Sequence, residues 1–310
     1  MALSLSRKGL RGTVGLDIDG GYIAAIHSHG DRIEAAYSAP LPQGLMVDGE
    51  VVDPAGLSAA LKDFFAANEL PRNVRLGVAN QQIVVRQIEL PQIDDDKERE
   101  MAIRFQAADA IAMPLEDAVL DYQIVGYRDD ADGGTRMRVV VVAARSTMVS
   151  ALVEAAREAG LKPDGIDLDA FALIRALGND DGADQTARVF CHLAGVTNLA
   201  VAVGNSCVYT RPLSAGWEGE TEHVAAALAD EVRLSIDSYR TLPDAQPIEG
   251  LVLSGPGASV PGLAEELAAR LGLEGVIASP LGRLDPSALG ADEDPNRYTV
   301  AAGLAMGASA

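Results

Sequence analysis

Two stretches of this chain repeat one pattern, and the repeat narrows the possible folds more than any other feature of the sequence. In the first, Thr13 to Ile18 alternates Val14, Leu16 and Ile18 with Gly15, Asp17 and Asp19, the two-residue period of a half-buried strand. Gly20-Gly21 turns the chain and Tyr22 to Ile26 forms a second strand. His29-Gly30-Asp31 turns it again, and Arg32 to Tyr37 completes an antiparallel meander. In the second stretch, Val189 to Leu193, Asn198 to Val203 and Cys207 to Arg211 are strands broken at Ala194-Gly195 and Gly204-Asn205. The spacings agree: Asp17 to Gly30 spans 13 residues and His192 to Gly204 spans 12. Each meander then leads to a helix and a further strand. Asp53-Pro54 opens a helix to about Asn68, with Leu57, Leu61 and Phe64 on one face, before a strand at Val74 to Ala79. Thr221 to Tyr239 is a helix before a strand at Gly250 to Ser254. This duplication predicts an α/β chain of two like halves facing across a cleft, with the meander turns placed to grip phosphate.

A third turn follows the second unit. In GLVLSGPGASVPGLAEELAARLG, Gly250 to Gly272, an apolar strand is broken by Gly255-Pro256-Gly257. Ser259 is placed to cap a helix carrying Leu263, Leu267 and Leu271 at intervals of four. A glycine turn that opens a helix either merely reverses the chain or lets a ligand approach bare backbone, and the letters alone leave both roles open. They do not fit a dinucleotide fingerprint, because Val260 stands where the third glycine should be.

Between Ile83 and Gly160 the pattern changes. A strand at Val84 to Leu90, a helix at Asp94 to Ala112, a hairpin of Val119 to Tyr127 with Met137 to Ala144, and a helix at Thr147 to Ala159 read as a βαββα module inserted into the first half. Its first helix begins on Asp94, Asp95 and Asp96 and carries Met101, Phe105, Ala108 and Ala112 on one stripe, which reads as core. Gly178 to Ala187 reads as a flexible connection, and Leu281 to Asn296 as a surface loop before a closing helix. The expected domains are 11–185, with the insertion at about 84–162, and 186–310.

With 45 acidic against 25 basic residues the net charge is −20, which repels phosphate backbones at long range and argues against nucleic acid as a partner. No apolar run approaches the ~18 residues that span a bilayer, and Met1 to Arg11 lacks the apolar core of a signal peptide, so a cytoplasmic protein is expected. Cys191 and Cys207 lie in apolar strands without metal-ligand spacing and read as core. His27 and His29 share a strand face, but no third ligand is evident, and an exposed turn is the plainer role.

The order of these pieces resembles the actin-like ATPase superfamily, with its ribonuclease-H-like duplicated halves. More narrowly it resembles the PilM family of type IV pilus assembly proteins, relatives of the cell-division protein FtsA. The stretches that carry the likeness are VGLDIDGG (Val14 to Gly21), LPQGLMVDGEVVDP (Leu41 to Pro54), VVRQIELPQI through LEDAVLDYQIVG (Val84 to Gly126), TNLAVAVGNSCVYTR (Thr197 to Arg211), LADEVRLSIDSYR (Leu228 to Arg240) and LSGPGASVPGL (Leu253 to Leu263). The resemblance implies ATP with magnesium as ligand. It puts Asp17, Gly20 and Gly21 in the first phosphate-binding turn, with Asp17 holding magnesium through water, and Ala194, Gly195, Thr197 and Asn198 in the second. It puts Gly255, Gly257 and Ala258 at the adenosine turn, with Glu231 and Arg233 toward ribose and base. It further implies a scaffold at the inner face of the cytoplasmic membrane that docks the N-terminal tail of a PilN-like membrane protein and links it to the pilus assembly platform and motor.

Three letters depart from the ATP-binding pattern. Asp19 stands where a glycine is usual, Ala24 where a lysine is usual, and His192 where an acid is usual. Losing a cation and an acid beside a triphosphate removes charge neutralisation and one route to positioning magnesium or water, and Asp19 adds repulsion. The expectation is weak or absent nucleotide binding, negligible hydrolysis and no catalytic residue. The alternative on the same fold is a working ATPase or sugar-kinase-like enzyme, and polymerisation into filaments is a third.

Overall fold

The computed structural model describes residues 13–129, 133–178, 186–242, 245–277, 281, 284–285, 287, 289–290 and 293–307. Strands β1 (Val14–Ile18), β2 (Tyr22–His29) and β3 (Arg32–Pro40) form the first meander, each antiparallel to the next. A two-residue ladder of β4 (Met46–Val47) and β5 (Glu50–Val51) turns through Asp48 and Gly49, both at positive φ. Helix α1 (Pro54–Ala67) starts where Asp53 accepts the Gly56 N–H at 2.9 Å, with proline in its first turn. It buries Leu57, Leu61, Phe64 and Phe65, each contributing roughly 1.5–3 kcal/mol by leaving water. Strand β6 (Asn73–Val78) then returns parallel to β1.

The inserted unit comprises β7 (Val84–Pro91), helix α2 (Asp96–Ala110), β8 (Ala118–Asp129) and β9 (Thr135–Arg145), with the sheet in the order β7-β9-β8. Asp95 caps α2 by accepting from the Lys97 and Glu98 N–H groups. The stripe expected in the core is not there: Met101 is 64% and Phe105 75% exposed, and Ala108 and Ala112 are exposed too. The buried face is Ile103 and Ala107, continued by Ile111 beyond the helix, against Ile88, Leu90, Val139 and Val141. Both sets recur at intervals of three or four, so helical spacing could not choose between them. The β-branched pair Ile103 and Ile111 wins because it meets the apolar face of the sheet.

Helix α3 (Ser146–Glu158) also departs from expectation. It does not close the inserted unit but buries Met148, Val149, Leu152 and Val153 in the same core as Leu57, Leu61 and Phe64 of α1. It is the crossover to β10 (Lys162–Leu168), which pairs parallel with β6, so the first sheet runs β10-β6-β1-β2-β3. Helix α4 (Asp169–Leu177) follows directly.

The second half repeats this plan. Strands β11 (Ala187–His192), β12 (Asn198–Val203) and β13 (Ser206–Pro212) form the meander, and helix α5 (Thr221–Arg240) crosses to β14 (Ile248–Ser254). Helix α6 (Leu263–Leu271) crosses to β15 (Glu274–Ile277), and the sheet runs β13-β12-β11-β14-β15. Strand for strand this is the order of the first sheet. Ser259 does not cap α6. Pro256 to Ser259 forms a 3₁₀ turn, Gly262 at φ 77° takes the cap position, and the Ser259 hydroxyl accepts from Asn296 Nδ2 at 2.7 Å.

Two helices join the halves. Helix α4 packs Ala170 and Ile174 against Phe190, Ala200 and Ala202 of the second sheet, and Ala172 and Leu173 against Val300 and Leu304 of α7 (Thr299–Met306). Although α7 follows the second half in the chain, it lies on the first. A Cβ on Gly15 would come within 2.1 Å of the Ala301 carbonyl, and one on Gly303 within 1.9 Å of the Ala172 carbonyl. Arg175 ties the pair, donating to Asp167 and to the Gly303 carbonyl, both at 2.7 Å. The segment before α7 is not purely surface: Leu281 and Leu284 are buried with Tyr22, Ile26 and Tyr298. The basic lead of Arg7, Lys8 and Arg11 lies outside the described residues, as does most of the 178–187 connection. No helix among the described residues is long and apolar enough to cross a membrane.

Candidate functional site

The three glycine turns converge between the sheets. Parallel pairing of β11 with β14 brings the turn after each strand to the same edge, and β1 presents its own turn from across the cleft. A cavity of about 30 Å³, open to one side, is lined there by Asp17, Asp19, Gly20, Gly49, Gly77, Asp169, His192, Ala194 and Val196, among others. It therefore unites residues expected in the first phosphate turn (Asp17, Gly20) and the second (Ala194).

Three carboxylates meet at this cavity. Burial, reinforced by Asp169 and then Asp19, pushes the Asp17 carboxyl well above its ordinary range. Asp169 is pushed up to about 8, again chiefly by burial and then by Asp19 and Asp167. Asp19 is raised by burial and held back by backbone N–H groups of Gly195, Gly20 and Val196. Two of those contacts are short: Gly20 N–H donates at 2.7 Å and Gly195 N–H at 2.6 Å. His192 is pushed down to about 4 by burial, so it is neutral at pH 7, and its Nδ1 shares a 3.0 Å hydrogen bond with Ser254 Oγ.

The remaining expected residues divide. Gly21 lies at the open edge of the first turn. Thr197 is buried with no hydrogen bond to its hydroxyl oxygen, whereas Asn198 sits in the β12–β13 ladder and accepts from Thr210 at 3.2 Å. Gly255, at φ 85°, approaches Leu193 so closely that a Cβ would lie 2.6 Å from its carbonyl oxygen. The Gly257 N–H donates to that same carbonyl at 2.9 Å, and Ala258 is buried beside it. Glu231 is committed to its own chain, accepting from the N–H groups of Ser214 (3.0 Å) and Ala215 (2.8 Å). Arg233 points elsewhere, to Asp230 and the Arg270 carbonyl. His27 pairs with Glu34 at 3.3 Å, and among the described residues no His, Cys, Asp or Glu cluster is arranged to hold a metal ion. Cys191 and Cys207 are buried free thiols, each pushed up to about 12 by burial.

Two residues of the site were not read from the sequence. Asp169 supplies an acid to the cleft that His192 does not, and its signal was an acid directly after the apolar strand end Ile166 to Leu168. Trp217 had no local signal. Its ring covers the third turn, so that a Cβ on Gly257 would lie 2.7 Å from Cγ, and its indole N–H donates to the Ala194 carbonyl at 3.0 Å.

As arranged, the Gly20 and Gly195 N–H groups are taken by the Asp19 carboxylate, so neither is free for a phosphate, and two further acids line the cavity between the turns.

The family model for type IV pilus assembly protein PilM matches residues 15–227. The chain belongs to the PilM family. It is similar at 26% identity to a chain of the PilM-PilN type IV pilus biogenesis complex, covering 96% of this chain and 98% of that one with a TM-score of 0.79. The ethanolamine utilization protein EutJ from Carboxydothermus hydrogenoformans, at 12% identity and TM-score 0.53, covers 95% and 89%. An MreB of Spiroplasma citri bound to AMPPNP, at 12% and 0.52, covers 94% and 94%. These last two share the fold alone, and with them the fold is actin-like.

Proposed function

We propose that this PilM-family protein is a scaffold of a type IV pilus or related secretion assembly platform, at the inner face of the cytoplasmic membrane, and that it docks the N-terminal cytoplasmic tail of a PilN-like membrane protein. The observation that carries the reading is the likeness over nearly the whole chain to a protein solved in complex with PilN. The inserted unit, which leaves Met101 and Phe105 in the open, suits a protein-binding part. The nucleotide site is degenerate in this reading. Asp19 takes the N–H donors that a phosphate would need, and Asp17, the residue the resemblance assigns to magnesium, lies beside two other acids.

A synthetic tail of the co-encoded single-pass membrane protein should bind with a micromolar or tighter dissociation constant in a fluorescence polarisation titration, and a scrambled tail should not. No saturable binding would overturn the scaffold reading. ATP with magnesium should leave the melting temperature within about 1 °C, whereas a ligand at 100 times its dissociation constant adds ~2.7 kcal/mol and raises it by several degrees.

Asp169 keeps a second reading in view, because it places an acid in the cleft of an actin-like ATPase or kinase. In that case phosphate release would be measurable in a turnover assay and would be lost in Asp169→Asn and Asp17→Ala.

A further inference from the structure

One carboxylate joins the two meander turns. Asp19 belongs to the β1–β2 turn of the first sheet and accepts from Gly20 in that turn, while its other oxygen accepts from Gly195 in the β11–β12 turn of the second. The fit is close, since a Cβ on Gly195 would lie 2.1 Å from Asp19 Oδ1. Glycine turns that converge backbone N–H groups on an anion are the chemistry of phosphate sites. Here the anion is tethered to the chain.

The third turn carries an independent observation. The space above Gly257, where a missing side chain leaves room for a flat group, holds the indole of Trp217 against the glycine backbone. The same indole N–H reaches the Ala194 carbonyl, so the ring also braces the second phosphate turn. A negatively charged group at the paired glycine turns and a flat aromatic ring at the third correspond, in order, to the phosphate and base ends of a nucleotide.

We propose that the cleft is ligated by its own chain: the Asp19 carboxylate occupies the phosphate position and the Trp217 indole the base position. Asp19 ties the two sheets across the cleft, and Trp217 braces the two turns of the second sheet against each other, so that the cleft stays in one closed arrangement without nucleotide. The inference rests on the reading that this cleft takes no ATP, and it explains how the chain remains closed without it. Asp17 and Asp169 line the same cavity with their carboxyls raised by burial, which keeps them protonated and limits their repulsion of Asp19, while the N–H groups of Gly20, Gly195 and Val196 favour the Asp19 carboxylate.

Trp217 is the chain's only tryptophan, so its fluorescence reports on the site directly. In the full chain, Asp19→Gly removes the tether. Acrylamide quenching of Trp217 should rise several-fold with a red shift of its emission, and millimolar pyrophosphate or ATP with magnesium should reverse both changes. The wild-type signal should ignore both ligands. Asp19→Asn keeps one acceptor oxygen but no charge and should fall between the two, which decides the matter if the glycine variant does not fold. Wild-type quenching in Asp19→Asn, or in a folded Asp19→Gly, would overturn the inference. A wild-type emission that responds to ATP would overturn instead the reading that the cleft takes no nucleotide, and the tail-binding titration is independent of both.

Discussion

Gly303→Val lowers the melting temperature by roughly 10 °C. Helices α4 and α7 cross at Gly303 with so little separation that a single Cβ would stand 1.9 Å from the Ala172 carbonyl oxygen and 2.9 Å from its Cα. Those neighbours are backbone, so relief requires one helix to move rather than one rotamer to change. Movement of α7 would loosen the Arg175 bond to the Gly303 carbonyl and uncover Val300 and Leu304. Overpacking of this kind costs ~3–5 kcal/mol, at the upper end for core insertions because the site cannot yield cheaply. Thermal melting followed by circular dichroism is the check. Gly134→Ala, where an added Cβ meets nothing within 4 Å, is the control and should stay within about 0.5 kcal/mol. A Gly303→Val chain that melts like the parent would mean that the α4–α7 crossing is wrong.

The second large effect is one of pH. Asp169 has a folded pKa of about 8 against an unfolded value near 3.9, so between those limits the folded state holds a proton that the unfolded state has released. Its stabilisation is complete below the unfolded value and is lost as pH rises through about 8. His192 runs the other way. Its folded pKa of about 4 lies below the ordinary imidazole value of about 6.5, so stability from this residue falls as pH drops through that interval. The two oppose each other below pH ~6.5, and Asp169, with Asp17 shifted in the same direction, acts without that opposition above it. The expectation is a shallow fall in melting temperature from pH 5 to 6.5, where His192 offsets one of the two acids, then a steeper loss of ~2–4 kcal/mol, or roughly 5–10 °C, by pH 8.5. Asp169→Asn should remove most of that fall and should be the more stable protein at pH 8.5. A parent chain whose stability rises through this window would contradict the burial of these acids.

The duplication was legible because it is written locally. Strand alternation in Val14 to Ile18, glycines at the turns and the Asp53-Pro54 helix start are all signals within a few residues of one another, and they mark both meanders and the helix and strand that follow each, though not the edge strands β10 and β15. What escaped is settled over long distances. Helix α2 offered two apolar stripes, and only the sheet beneath it selects Ile103 and Ala107 over Met101 and Phe105. Helix α4 lies between two partners and is only nine residues long, too short for a periodic pattern to stand out between β10 and the connection that follows. In the site, Asp19 was recognised as a departure that would repel phosphate. That it takes the phosphate's own donors could not be read, since Gly195 lies 176 residues away in sequence. Glu231 and Arg233 were placed by resemblance, and the backbone N–H groups of Ser214 and Ala215 and the Arg270 carbonyl turn their side chains to other uses.

Helix α7 carries one more consequence, for synthesis. The β1 face that it covers leaves the ribosome well before Ala301 and Leu304 do. Until then Gly15 and its neighbours present an uncapped apolar surface, and α4 has only half of its packing. The amino-terminal half therefore cannot finish folding in the order in which it is made, and a nascent chain stalled before residue 299 would expose the surface that chaperones bind.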